Sequence, residues 1–192
     1  MISLPLIGFV FFGLFSPGPN VILVTSSGAR FGLKRTVPHI LGIVLGVGVI
    51  AGVTGLGVGQ LLASAPNLLF LLQIVACLWI LWMAAQLWQS TPKEADDHQR
   101  PFSFLEAAFF QLVNPKIWAV ALSATAYIAE LTPVAQAATL GLTFSTLNLF
   151  VCSFWTAFGS LLSRLLVNDV VWRIFMRAMA VGLVIFSALI FV

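Results

Sequence analysis

Ser16-Pro17-Gly18-Pro19-Asn20 interrupts an apolar run that extends from about residue 3 to about residue 25, and Asn114-Pro115-Lys116 interrupts another, from about 103 to about 127. Each run is otherwise long and apolar enough to cross a bilayer, which takes about 20 helical residues. Proline removes a backbone donor, and its ring clashes with the preceding turn. In hydrocarbon the freed carbonyls must find partners in protein or along a water-lined cavity. Two such breaks at matching places in two halves of a chain point to a solute site near mid-membrane.

Composition agrees with that setting. Hydrophobic residues make up 60% of the 192 and charged residues 8%, against about 25% charged in a soluble domain. The chain reads as an all-α integral membrane protein, a single transmembrane domain over 1–192. Its formal charge of +3 is therefore no nucleic-acid signal; what matters is where the cations sit. The N-terminal run lacks a cationic leader, since Arg30 is the first Lys or Arg, and Pro17-Gly18-Pro19 stands where a small-x-small cleavage site would be. It is expected to be a retained first span. Cys77 and Cys152 fall in apolar runs and read as buried hydrophobes rather than a disulfide.

Six spans are predicted, at roughly 3–25, 38–61, 67–89, 103–127, 134–160 and 173–192. The polar stretch from Ser90 to Ser103 divides them three and three: repeat one at about 1–89, a cytoplasmic linker at 90–102, repeat two at about 103–192. Of the nine Lys and Arg, eight fall in loops one, three and five or at the start of span six: Arg30, Lys34, Arg35, Lys93, Arg100, Arg164, Arg173 and Arg177. The ninth, Lys116, is inside a span. The positive-inside rule places those loops in the cytoplasm and both termini outside.

The halves read as repeats. Pro5 precedes Pro19 by 14 residues, as Pro101 precedes Pro115; Pro19 to Pro38 is 19 residues and Pro115 to Pro133 is 18. Leu41-Gly42 matches Leu140-Gly141, and Gly59-Gln60-Leu61-Leu62 matches Gly159-Ser160-Leu161-Leu162. A three-span repeat must insert upside down relative to its twin, so these are inverted repeats, with spans one and four broken at prolines. Gly42, Gly46, Gly48, Gly52, Gly55 and Gly59 form small-xxx-small pairs suited to close helix packing, within the monomer or at a homodimer face. Trp88 and Trp172 are expected in an interfacial belt; the other tryptophans are expected to face lipid or packing partners.

At each break a helix restarts. Asparagine is a favoured N-cap and proline a favoured first residue, so Asn114-Pro115, and Gly18-Pro19 with Gly18 as cap, begin helices whose first N–H groups lack acceptors. Two positive helix ends then converge on mid-membrane, a ready carboxylate site. Lys116 lies too deep for easy escape to the cytoplasmic interface. Either it snorkels to the outer interface or it pairs with a bound anion. The candidate substrate site is thus Ser16, Pro17, Gly18, Pro19, Asn20, Gln111, Asn114, Pro115 and Lys116. Thr25, Ser26, Ser27, Gln73, Ser145, Thr146, Asn148, Ser153 and Thr156 either line the path or bond their own helices.

The first break, followed by Gly28-Ala29-Arg30-Phe31-Gly32-Leu33-Lys34-Arg35 and Gly42 to Gly46, resembles the opening of the lysine exporter (LysE/RhtB) family. Phe110-Gln111-Leu112-Val113-Asn114-Pro115-Lys116 resembles that family's second motif. Length, span number and the polar loop agree over the whole chain. Within the family the likeness is nearest to cysteine and O-acetylserine exporters, mainly across 104–164. The resemblance implies a multi-pass protein of the bacterial inner membrane, both termini periplasmic, exporting amino acids or derivatives by proton antiport.

With no deep carboxylate to hold a second cationic group, small neutral amino acids are the expected substrates. A metal-cation exporter would want an oxygen, His or Cys cluster, and a thiol-relay redox carrier would want paired cysteines at the breaks. Neither pattern is present, and no hydrolase or transferase constellation or cofactor motif appears. Glu106 and His39 are the candidate proton carriers. Reporter fusions should read cytoplasmic at Gln99 and periplasmic at the C-terminus; a cytoplasmic C-terminus would sink the inverted arrangement.

Overall fold

The computed structural model describes residues 4–89, 100–165 and 168–189. Every regular element among them is helical. α1 is Leu4–Phe15, α2 Pro19–Gly55, α3 Val58–Ala63 and α4 Pro66–Trp88. After the polar stretch come α5 Phe104–Val113 and α6 Pro115–Ala124, with a 3-10 turn at Thr125–Ile128, then α7 Pro133–Leu165 and α8 Asp169–Leu189. Ser90 to Gln99, most of the expected linker, lie outside the described residues. By length and composition α2, α4, α7 and α8 suffice to cross a membrane, while α1 and α5 are shorter apolar helices. They are short because each stops two to four residues before a helix-starting proline. Large apolar side chains such as Phe12, Leu142 and Val134 face outward, a surface suited to lipid rather than water.

The expected first loop is absent. The helix that restarts at Pro19 runs to residue 31, turns at Gly32 (φ 76°, ψ 170°) and continues to Gly55. Only glycine adopts that backbone region without strain, so one residue makes the connection. Arg30 and Arg35 flank it, 5.0 and 5.7 Å from the centre of the Phe31 ring. Pro38 consequently lies inside the second arm of α2 rather than at its start. That arm ends before residue 61, at Gly55, because the chain turns at Gly57 (φ 98°) into α3.

α2 is the central element. Its second arm packs on α5 and α7, its first arm on α7, and α4 pairs with α8. Leu6, Val10, Ile43, Val47, Ile50 and Phe144 belong to one apolar cluster, and Ile22, Leu23, Ile80, Phe110, Met176 and Leu183 to the other. The glycine stripe serves these contacts within the chain. A Cβ on Gly42 would strike the Phe104 carbonyl on α5, and one on Gly48 would strike Ser145 Oγ on α7. Trp172 is buried in the second cluster. Trp88 is half exposed and carries Arg177 at 4.9 Å over its ring.

The first arm of α2 and α7 cross with their backbones close together. A Cβ on Gly28 would collide with the Thr156 carbonyl, and one on Gly159 with the Thr25 carbonyl. Gly28→Val and Gly159→Val should each destabilise the detergent-solubilised protein by about 1–3 kcal/mol or more through overpacking. Gly8, with nothing within 4 Å of an added Cβ, should gain about 0.5–1 kcal/mol as Gly8→Ala. Denaturation midpoints measure this; equal shifts at all three positions would show that the crossing is not the constraint.

Candidate functional site

α2 starts at Pro19 and α6 at Pro115. Gly18 is extended (φ −179°, ψ 179°) ahead of Pro19, and Asn114 (φ −79°, ψ 100°) precedes Pro115. The Asn114 side chain, however, does not cap α6. It turns toward the other break, where Nδ2 donates to Gln111 Oε1 at 3.2 Å and Asn20 Oδ1 at 3.4 Å. Asn20 Nδ2 donates to Gln111 Oε1 at 2.9 Å, and Gln111 Nε2 returns a bond to Asn20 Oδ1 at 3.1 Å and one to the Ala107 carbonyl at 3.0 Å. These three buried amides join the halves of the chain. An amide both donates and accepts without carrying charge, which suits a dry site where an unpaired group is costly.

Lys116 takes a different partner from the one expected. Its ammonium donates to the Ser16 carbonyl at 2.6 Å, with the Pro17 carbonyl at 3.5 Å. These oxygens lie at the C-terminal end of α1, the negative pole of a helix whose last carbonyls have no intrahelical donors. Gly18 permits the approach, since a Cβ there would lie 2.9 Å from Lys116 Cδ. The second break has its own substitute donor. Trp118 Nε1 donates to the Leu112 carbonyl at 2.9 Å, a role that reading Trp118 as a lipid-facing or packing residue missed. Nothing in the linear sequence shows that an indole four residues into α6 reaches back over the proline.

Between the breaks lies a cavity of about 10 Å³, lined by Gly18, Asn20, Asn114, Lys116 and Asn148 among others, about the room one water needs. Asn114 Oδ1 and Asn148 Nδ2 are buried there with no hydrogen-bond partner in the protein. Asn148, on α7, was one of many polar candidates by sequence; the structure singles it out. Gln111 stands behind the cavity wall, holding Asn20 and Asn114. Pro19 and Pro115 start the helices, and Ser16 and Pro17 contribute carbonyls. Thr25, Ser26 and Thr156 bond the carbonyls of Val21, Ile22 and Cys152, each at 2.7 Å, and are helix-satisfied.

The two proton-carrier candidates differ in circumstance. Glu106 closes a capping box with Ser103 at the start of α5 and takes Arg100 in a bidentate pair at 2.6 and 2.8 Å. Its carboxylate is committed to structure. His39 is buried, 5.3 Å from the Phe102 ring, and does not line the cavity between the breaks. Among the described residues no three His, Cys, Asp or Glu side chains come together.

Residues 11–192 match the family of LysE-type translocators. The chain belongs to that family. It is therefore a transmembrane translocator of a small solute and not an enzyme. It is 30% identical over 155 residues to the cysteine/O-acetylserine efflux protein of Escherichia coli (strain K12), covering 78% of each chain, and equally similar to the protein of that name from Shigella flexneri serotype 5b. An uncharacterized membrane protein of Vibrio cholerae serotype O1 is 25% identical over 156 residues, 78% of this chain and 76% of that one. No solved structure matches the chain.

Asn20→Leu alone, or Gln111→Leu alone, strands buried amide atoms and should cost about 1–3 kcal/mol. The double substitution removes both partners together and should cost less than the sum of the two. Additive losses in detergent-unfolding experiments would show that the amides act separately.

Proposed function

We propose that this translocator exports small neutral amino acids or derivatives, of the cysteine and O-acetylserine kind, from the cytoplasm across the bacterial inner membrane by proton antiport. One observation carries the reading: an orphan amide acceptor, an orphan amide donor and an ammonium line a single cavity between the two helix breaks. An α-amino acid is complementary to that set. Its carboxylate pairs with Lys116 and Asn148 Nδ2, and its ammonium meets Asn114 Oδ1. When Lys116 swings to the carboxylate, the substrate's ammonium replaces it on the Ser16 and Pro17 carbonyls. The exchange brings in one charge of each sign, so the site never buries an uncompensated ion, whose cost would be large. A cavity of one-water size must widen to admit substrate, so the structure is a closed state in this reading.

Six spans in two inverted repeats frame the site. α1 with the first arm of α2 forms span one and α5 with α6 forms span four; the second arm of α2, α4, α7 and α8 are the others. Corresponding spans pair, the second arm of α2 with α7 and α4 with α8, which supports a two-fold axis in the membrane plane. Arg30 and Arg100 line one cavity, and Arg177 stacks beside it on Trp88, which supports a common cytoplasmic side for the odd loops and periplasmic termini. With Glu106 committed as a cap, His39 is the remaining candidate proton carrier. A metal-cation or thiol-relay reading fares worse, since neither Cys77 nor Cys152 lines the cavity between the breaks.

Efflux from cells, or uptake into inverted membrane vesicles, tests the proposal. Lys116→Ala should abolish transport of labelled cysteine or O-acetylserine while the protein still inserts. Arginine should not restore it, because a planar fork cannot occupy the place of a point-like ammonium. Normal export by Lys116→Ala would move the site elsewhere. Small neutral amino acids should compete and overlap as substrates, since a methylene changes affinity by only about 1–3 kcal/mol. Strong competition by lysine or arginine alone would overturn the electrostatic reading.

A further inference from the structure

Asn148 brings one amide to the cavity between the breaks, and which end it presents decides what the cavity binds. The oxygen and nitrogen of an asparagine amide differ little in shape, so its hydrogen bonds choose between the two seatings. Oxygen toward the cavity would add a second acceptor beside Asn114 Oδ1, and a substrate carboxylate would meet two oxygens. Nitrogen toward the cavity supplies the donor that a carboxylate needs.

A neighbour makes the choice. Cys152 lies one turn beyond Asn148 on α7, and its Sγ donates to Asn148 Oδ1 at 3.5 Å. Side chains four residues apart meet on a helix surface. Both residues are 2% exposed, so bulk water does not compete for that oxygen. Nδ2 is then left at the cavity with no partner in the protein, and a buried donor of this kind needs one from water or a ligand. The reverse seating would set Nδ2 against sulfur, a weak acceptor, and lose the thiol's bond to an amide oxygen. The thiol is itself held in place. Cys152 belongs to the first apolar cluster, and one turn farther along α7 the Thr156 carbonyl lies against Gly28 of α2. Asn114 is the mirror case: its Nδ2 is committed to Gln111 and Asn20, which leaves Oδ1 to the cavity. One amide thus presents a donor and the other an acceptor, each fixed by bonds at its other end.

We infer that Cys152 is a positioning residue for substrate: its thiol holds the Asn148 amide with the nitrogen toward the cavity, and so sets the site to receive a carboxylate. Cys152 does not line the cavity and acts only through Asn148. The inference rests on the exporter reading above, and its test separates the two. The bond is read from the S–H stretching band in the infrared, which falls in frequency when a thiol donates a hydrogen bond. Cys77 is the only other cysteine and pairs with Ser187 Oγ at 3.0 Å, so Cys77→Ala leaves Cys152 as the single reporter in the full chain in lipid nanodiscs. Adding Asn148→Ala should move the band to higher frequency.

The consequence is read as uptake of labelled cysteine into inverted membrane vesicles. Cys152→Ala should raise KM about threefold to tenfold, the usual worth of one neutral hydrogen bond, with the maximal rate little changed. Cys152→Ser keeps a donor and should recover part of the loss. On an Asn148→Ala background, Cys152→Ala should cost nothing further. If the band stays in place when Asn148 is replaced, there is no thiol–amide bond and the inference falls, whatever the protein transports. If the band moves but Cys152→Ala leaves KM unaltered, or raises it equally with and without Asn148, the thiol does not act through the amide; the inference falls and the exporter reading stands. If the band moves but wild-type vesicles take up neither cysteine nor O-acetylserine, the exporter reading is what fails, and the inference goes with it.

Discussion

A helix that stops in hydrocarbon leaves carbonyls at one end and N–H groups at the other with no water to receive them. This chain stops twice, before Pro19 and before Pro115, and its centre is organised by how those ends are satisfied. Lys116 from the second half donates to the carbonyls that end α1 in the first. Asn20 from the first half is held by Gln111 and Asn114 from the second. The second half thus supplies a donor to the carbonyls at the first break, while the Leu112 carbonyl at the second break is met from its own half by Trp118.

The chemistry of that exchange bears on function. Three neutral amides hold the halves together, and only one charge is present, resting on carbonyl oxygens rather than on a carboxylate. A bond between an ammonium and backbone oxygens can be handed to another ammonium without separating an ion pair. The two amide atoms left over, on Asn114 and Asn148, face the cavity where such a newcomer would arrive. In the proposed reading, stability and a place for substrate come from the same groups.

α2 ties these features together. Its first arm runs from the central cavity to the cation-lined one and crosses α7 with the backbones in direct contact at Gly28 and Gly159. Gly32 then bends the chain in a single residue, bringing Ser27 and Thr36 together at 3.1 Å across the turn. Glycines along the second arm let α5 and α7 approach where side chains would hold them off. The helix that lines both cavities is therefore also packed closely by its neighbours.

Apolar content, the two proline breaks, the cation distribution and the family motifs are properties of composition and local order, so the prolines at residues 16–20 and 114–116 could be singled out directly from the chain. The helix starts at Pro19 and Pro115 follow from proline's missing N–H, whereas the capping role of Glu106 at Ser103 shows only in the structure. What partners each polar group found depended on contacts about a hundred residues apart. Lys116 could be judged deep and in need of a partner, but not that the partner would be the end of α1. Asn114 looked like a cap, and only the approach of Asn20 and Gln111 drew its side chain away. Asn148 was one polar residue among many until the fold left its donor unpaired at the cavity. Local backbone chemistry is written residue by residue; which groups meet across the bundle is decided by helix packing, and it is there that tertiary structure made the site.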